Sequence, residues 1–256
     1  MTLIVTHISK LGIIHATDGN LTASNGSAAG QAPKVFPIPF LYAGLTVAGS
    51  YGVGGQSMDP WMRNFIQAQQ RDNCDSLEAF AAALAGALQG EMTQKEKNDG
   101  SMVHLAGYVQ DKGRSHPEFW FVRNVYGMDT STGEYSDFRD TFQISEDFWK
   151  RDWCKNNLDQ LFQEDGYQIY INGFTSGRVS YIILQAVMNQ FFQSVWSNPA
   201  WKFRPPKSLE ENVVIVELYI QMIGVLFRTS DYSAPFIGGT PQTYAIADPS
   251  LPWRKK

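Results

Sequence analysis

The first fifty residues hold three short apolar runs separated by turn-forming residues, a pattern that a sheet absorbs and a helix does not. Thr2 leads straight into Leu3-Ile4-Val5, and Ser9-Lys10-Leu11-Gly12 reads as a turn. Ile13-Ile14-His15-Ala16 is the second run and ends on Thr17-Asp18. Lys34 opens the third, which continues through Val35-Phe36-Pro37-Ile38-Pro39-Phe40-Leu41 and finishes at Ala48-Gly49-Ser50. Residues 21–32 (LTASNGSAAGQA) are small and polar and read as a loop or hairpin.

Helical pattern follows at 60–70, with Pro60 at a permitted first-turn position. Asp75 or Ser76 can cap a second helix over 77–89, and 94–100 reads as a polar break. Residues 103–108 and 119–122 read as strands paired around Asp111-Lys112-Gly113. The stretch 128–164 is long, with Ser145 a cap candidate for a short helix through Phe148 and Trp149. A strand at 167–171 ends at Asn172-Gly173. Residues 179–196 carry Ile182, Ile183, Val187, Phe191 and Val195 at helical spacing. Ser208-Leu209-Glu210-Glu211 reads as a capping box that launches a helix to about 227. Gly238-Gly239 precede a last strand at 243–246, and a short tail from Pro249 ends in three basic residues. Strand blocks separated by helix pairs argue against βαβ alternation. They suit an α+β fold of two stacked sheets with helices on both outer faces, one domain over residues 1–256 with an enlarged β-rich middle at about 109–166.

Composition narrows the function. Hydrophobic residues make up 43% and charged residues 18%, which supports a full core. The net charge of -4 with no basic stripe argues against a nucleic-acid partner. No apolar segment has the length to span a bilayer, and the N-terminal apolar residues alternate with polar ones, unlike a signal peptide. Cys74 and Cys154 alone suit a reducing cytoplasm. The glycines at 49, 52, 54 and 55 lack G-x-G-x-x-G order and a following Lys-Ser or Lys-Thr, so a turn explains them better than a phosphate loop. His7, His15, His104 and His116 form no close pair, so no metal and no cofactor is expected. His7 and His15 read as ordinary sheet histidines. Phe191, Phe192, Trp196 and Trp201 read as core, with a subunit contact as the alternative.

The joint placement of Thr2, Asp18 and Lys34, with Gly49 beyond, resembles the N-terminal half of a proteasome-type β subunit. That is a branch of the N-terminal-nucleophile (Ntn) hydrolases, here as a divergent bacterial-type proteasome homologue. The resemblance is closest over residues 2–55 and looser through the helix pairs and the final Gly-Gly strand. It implies a four-layer αββα sandwich, a homo-oligomeric ring and a threonine nucleophile freed by trimming of Met1, with no long leader to remove.

A threonine hydroxyl needs a base, and an N-terminal threonine carries its own in the α-amine. That amine titrates at about 7.7 to 8.0, so a nearby ammonium makes it mostly neutral near pH 7. The resemblance gives Lys34 that place. Asp18 would hold Lys34 charged, and the backbone at Gly49 would supply an oxyanion hole. The expected Thr2 hydroxyl is exposed, within hydrogen-bonding reach of both. In the accessory positions, where the family carries serines and an aspartate, stand Asn172, Asp231 and Ser233. The expected substrate is a peptide, or a small amide as in acylase-type relatives. The other class of reading is a catalytically silent assembly or binding subunit.

Overall fold

The computed structural model describes residues 2–22, 27–111, 114–129, 134–145, 167–173, 181–229 and 237–249. The N-terminal runs become β1 (Leu3–Ser9), β2 (Gly12–Thr17), β3 (Asn20–Thr22), β4 (Ala28–Gln31), β5 (Val35–Ile38), β6 (Ala43–Gly49), β7 (Gly52–Val53) and β8 (Gln56–Ser57). Helices α1 (Met58–Arg71), α2 (Leu77–Glu91) and α3 (Gln94–Asn98) follow. The remainder is β9 (Ser101–Asp111), β10 (Arg114–Met128), β11 (Tyr135–Ser145), β12 (Tyr167–Gly173), α4 (Tyr181–Ser197), α5 (Leu209–Arg228) and β13 (Gln242–Ala247).

The fold is α+β, with two principal antiparallel sheets. One runs β12-β1-β2-β13 and the other β11-β10-β9-β6-β5. Every residue of β1 and β2 is buried, because both faces of their sheet are covered. Strand alternation then divides β1 between two cores. Leu3 and Val5 pack with Ile14, Ile169 and the α4 and α5 residues Met188, Val216 and Ile220. Ile4 and Ile8 pack between the sheets, with Ile13, Met102, Ala106, Phe119, Phe121 and Tyr170. A third core lies between the five-stranded sheet and α1 and α2, and includes Leu45, Val103, Trp120, Met62, Phe80 and Leu84.

Several sequence expectations change. The run from Lys34 is two strands, because Pro39 starts a single 3-10 turn and Tyr42 takes a left-handed conformation (φ 56°) that reverses the chain. The expected polar break at 94–100 folds as α3, where Thr93 and Glu96 complete a reciprocal capping box. Ser208 does accept from the Glu211 N–H, at 3.2 Å, but Glu211 does not return the bond. Its carboxylate is taken by Arg204 and by the Lys207 N–H. The aromatic group divides. Phe192 is buried and stacks on Trp196, whereas Phe191 and Trp201 are about half exposed. The helix expected beyond Ser145 lies outside the described residues.

Ser76, not Asp75, caps α2, accepting from the Ala79 N–H at 3.2 Å. Removing that acceptor leaves an orphan N–H at the start of a helix that covers the five-stranded sheet. Ser76→Ala is expected to lower stability by about 1 kcal/mol, read by urea unfolding, and Ser76→Gly by less.

Candidate active site

At one end of the four-stranded sheet, Ile4 of β1 pairs with Thr17 of β2, one step in from Leu3. The Thr17 hydroxyl and the Asp18 N–H both donate to the Leu3 carbonyl, at 2.7 and 3.3 Å. This turns the Asp18 side chain back towards the start of the chain. Asp18 Oδ1 accepts from the Leu3 N–H at 2.9 Å and from Lys34 Nζ at 3.2 Å. Its Oδ2 accepts from the Asn20 N–H at 3.2 Å and, more distantly, the Gly238 N–H at 3.5 Å.

Lys34 stands immediately before β5 and is pinned by its backbone. Its N–H donates to Gln242 Oε1 at 2.9 Å, and its carbonyl accepts from the Val47 N–H at 3.0 Å. Gln242 in turn donates to the Ala32 carbonyl. The lysine is thus fixed between β13 of one sheet and β6 of the other. Its Nζ also donates to the Asn20 carbonyl. An ammonium has three N–H donors, and the third has no partner among the described residues.

Both side chains of this pair are 0% exposed. Burial pushes the Asp18 carboxyl up, opposed by the Lys34 charge and by the N–H groups of Leu3 and Gly238. Burial pushes Lys34 down, opposed by the charge of Asp18. Burying two charges costs several kcal/mol per ion, of the same order as their attraction returns, so such a pair is weak evidence for stability alone. A buried lysine with a lowered pKa beside a specific carboxylate is the arrangement expected of a functional site.

Thr2 is the residue before the Leu3 N–H that Asp18 holds. By alternation it shares the inter-sheet side of β1 with Ile4 and Thr6. With Met1 still attached, the residue is 4% exposed. Asp18 and Lys34 are brought together as expected, but the Thr2 hydroxyl makes no hydrogen bond among the described residues. Gly49 ends β6, not the strand that Lys34 opens. The hairpin returns it to the same end of the sheet, since Val35 pairs with Thr46. Its φ of +100° is a conformation that only glycine adopts readily.

Asn172 pairs with Ile4 near the Thr2 end of the β1–β12 ladder. It bonds to His104 and to Tyr135, both at 2.9 Å. Asp231 and Ser233 lie outside the described residues. His7 contacts Asn212 of α5 at 3.3 Å, and His15 contacts the Ala106 carbonyl at 3.1 Å, so packing accounts for both. Among the described residues no three His, Cys, Asp or Glu side chains gather to hold a metal. A cavity of about 550 Å3, lined by Phe40, Tyr42, Tyr108, His116 and Glu118, lies at the opposite end of the five-stranded sheet and does not include the pair.

Sequence reasoning missed the backbone partners, Asn20 and Gly238, and the anchoring Gln242. The Gly238-Gly239 pair was the available signal, since a main chain without side chains reaches Asp18 closely. His104 carried no sequence signal at all. No helix among the described residues is long and apolar enough to cross a membrane. No protein-family model matches the chain, and no curated protein matches it.

Proposed function

We propose that this chain is an Ntn-type hydrolase that cleaves amide bonds, with Thr2 as nucleophile once Met1 is removed. The observation that carries the reading is the fully buried Asp18–Lys34 pair, tied through Asp18 to the residue that follows Thr2. The three cores support a four-layer αββα sandwich of the Ntn kind, helices outside and two sheets within.

In the proposed reaction the free α-amine takes the Thr2 hydroxyl proton as Oγ attacks the substrate carbonyl carbon. Lys34 keeps the amine neutral and lends positive field to the oxyanion, with backbone N–H groups around Gly49 as hydrogen-bond donors. The carbon–nitrogen bond breaks, and the proton held by the amine leaves with the departing amine. Water then attacks the Thr2 ester and restores the hydroxyl. Asn172, Asp231 and Ser233 stand as accessory residues. A peptide is the first substrate class and a small amide the second.

Assembly follows from the outer helix pair. Of the large apolar side chains exposed among the described residues, all but Phe138 fall between Val187 and Leu226, and Phe203 and Val214 are the most exposed. Such a concentration marks an interaction surface. We assign it to a cytoplasmic homo-oligomer of ring type. Light scattering should show an oligomer, and a clean monomer at high concentration rejects the assembly.

The engagement of Asn172 with His104 and Tyr135, where the family carries a serine, favours one second reading, a catalytically silent subunit of the same fold. Intact-mass analysis separates the two when combined with a peptide epoxyketone, which reacts with a free α-amine and its neighbouring hydroxyl together. Protein shown by mass to lack Met1 should gain one inhibitor mass, and Thr2→Ala protein should gain none. Failure of the Met1-free protein to label moves the reading to the silent subunit. Undiminished hydrolysis by Thr2→Ala sinks the mechanism.

A further inference from the structure

Between the sheets runs a chain of hydrogen bonds. The Thr6 hydroxyl meets His104 Nδ1 at 3.1 Å, and His104 Nε2 meets Asn172 Oδ1 at 2.9 Å. Asn172 Nδ2 donates to the Tyr135 hydroxyl at 2.9 Å, and that hydroxyl reaches Met102 Sδ at 3.7 Å. His104 is 0% exposed and held edge-on against Phe121 and Phe119, with ring centroids 4.6 and 5.2 Å away. The ring therefore has one orientation, and its two nitrogens face different partners.

That geometry sets a direction. If Asn172 turns its oxygen to His104, the imidazole must carry its proton on Nε2, and Thr6 must donate to Nδ1. The Asn172 amide then spends its oxygen on His104 and one N–H on Tyr135. Its second N–H has no partner among the described residues. Asn172 stands opposite Ile4 on the inter-sheet face, and Thr2 continues that face by alternation.

We propose that His104 is a positioning residue that orients the Asn172 amide so that an N–H, not the carbonyl oxygen, serves the Thr2 end of β1. The inference rests on the Thr2 reading above. An amide oxygen beside the α-amine would stabilise the ammonium and raise its pKa, whereas an N–H donor does not. By claiming the oxygen, His104 leaves the amine neutral and able to act as base. The long β10–β11 hairpin contributes through Tyr135, which takes the other N–H.

Two measurements test this. Nitrogen-15 NMR of the imidazoles in the full chain should find His104 neutral with its proton on Nε2, and a proton on Nδ1 overturns the orientation. The second is the pH dependence of epoxyketone labelling in Met1-free protein. Asn172→Asp and His104→Leu should move the labelling midpoint up by about one unit, which slows labelling about tenfold at pH values well below it. His104→Gln keeps a donor near the Nε2 position and should hold the midpoint. An unmoved midpoint in Asn172→Asp overturns the proposal even where His104→Leu does not fold. If wild-type protein lacking Met1 fails to label, the Thr2 reading falls instead, and the NMR result still decides the orientation.

Discussion

Lys34→Met is expected to destabilise the protein by about 3–5 kcal/mol, because it leaves the Asp18 carboxylate buried without its counter-charge. The cost is not the value of the ion pair itself. Asp18 is 0% exposed and keeps hydrogen bonds from Leu3, Asn20 and Gly238, which limit the damage but supply no positive charge. The paired change Asp18→Asn with Lys34→Met removes both charges, while the new amide oxygen still accepts from the Leu3 N–H. Part of the lost stability should return, since the amide nitrogen in place of Oδ2 cannot accept from the Asn20 and Gly238 N–H groups. On the proposed mechanism epoxyketone labelling should not return, since the Lys34 charge is gone in both variants. Urea unfolding of the wild-type, single and double variants gives the three stabilities. A single variant as stable as wild type, and labelled as fast, would show that the pair is neither buried in solution nor coupled to Thr2.

How far the site was legible follows from what kind of contact makes it. Strand periodicity placed β1, β2, β9, β10 and β12, because apolar runs between turn residues are a local signal. Asp18 and Lys34 were legible only through the family resemblance, since each alone reads as a turn residue or a surface charge. The split of β5 from β6 was hidden because Pro39 and Tyr42 act through backbone angles inside an apolar stretch. Helix α3 was hidden because its polar residues were counted and the Thr93–Glu96 cap was not. His104 was illegible on principle. It matters because Thr6 and Asn172 meet it from two other strands, and Tyr135 of a third holds Asn172, at sequence separations that no local pattern encodes. Thr2 marks a different gap. Its place at the head of β1 was readable, but its surroundings depend on what the two sheets and their ends bring around it.

Three buried histidines predict an acid weakness. His7 and His15 are held down to about 4, and His104 to about 3, from an ordinary value of 6.5. The first cause in each case is burial, which penalises the charged imidazolium; hydrogen bonds oppose it at all three, and at His104 the charges of His15 and Arg123 add to it. The sign follows from linkage. The unfolded chain protonates these histidines near 6.5, and the folded chain does so only near 4 and below. Proton uptake by the unfolded state therefore draws stability away as pH falls through that window, and above about 6.5 the full stability is present. At pH 5 each histidine removes on the order of 2 kcal/mol, so together the three remove roughly 6 kcal/mol, a large share of a typical domain's stability. Asp18, whose pKa burial raises, acts in the opposite sense over the carboxylate range and softens the lower end. Urea unfolding at pH 7.5 and pH 5 should show the loss. His15→Gln should flatten the slope by about a third, with His7 and His104 left to supply the rest. Equal stability at the two pH values would mean that the three imidazoles are not enclosed as described, and with them the inter-sheet packing that carries Thr6, His104 and Asn172.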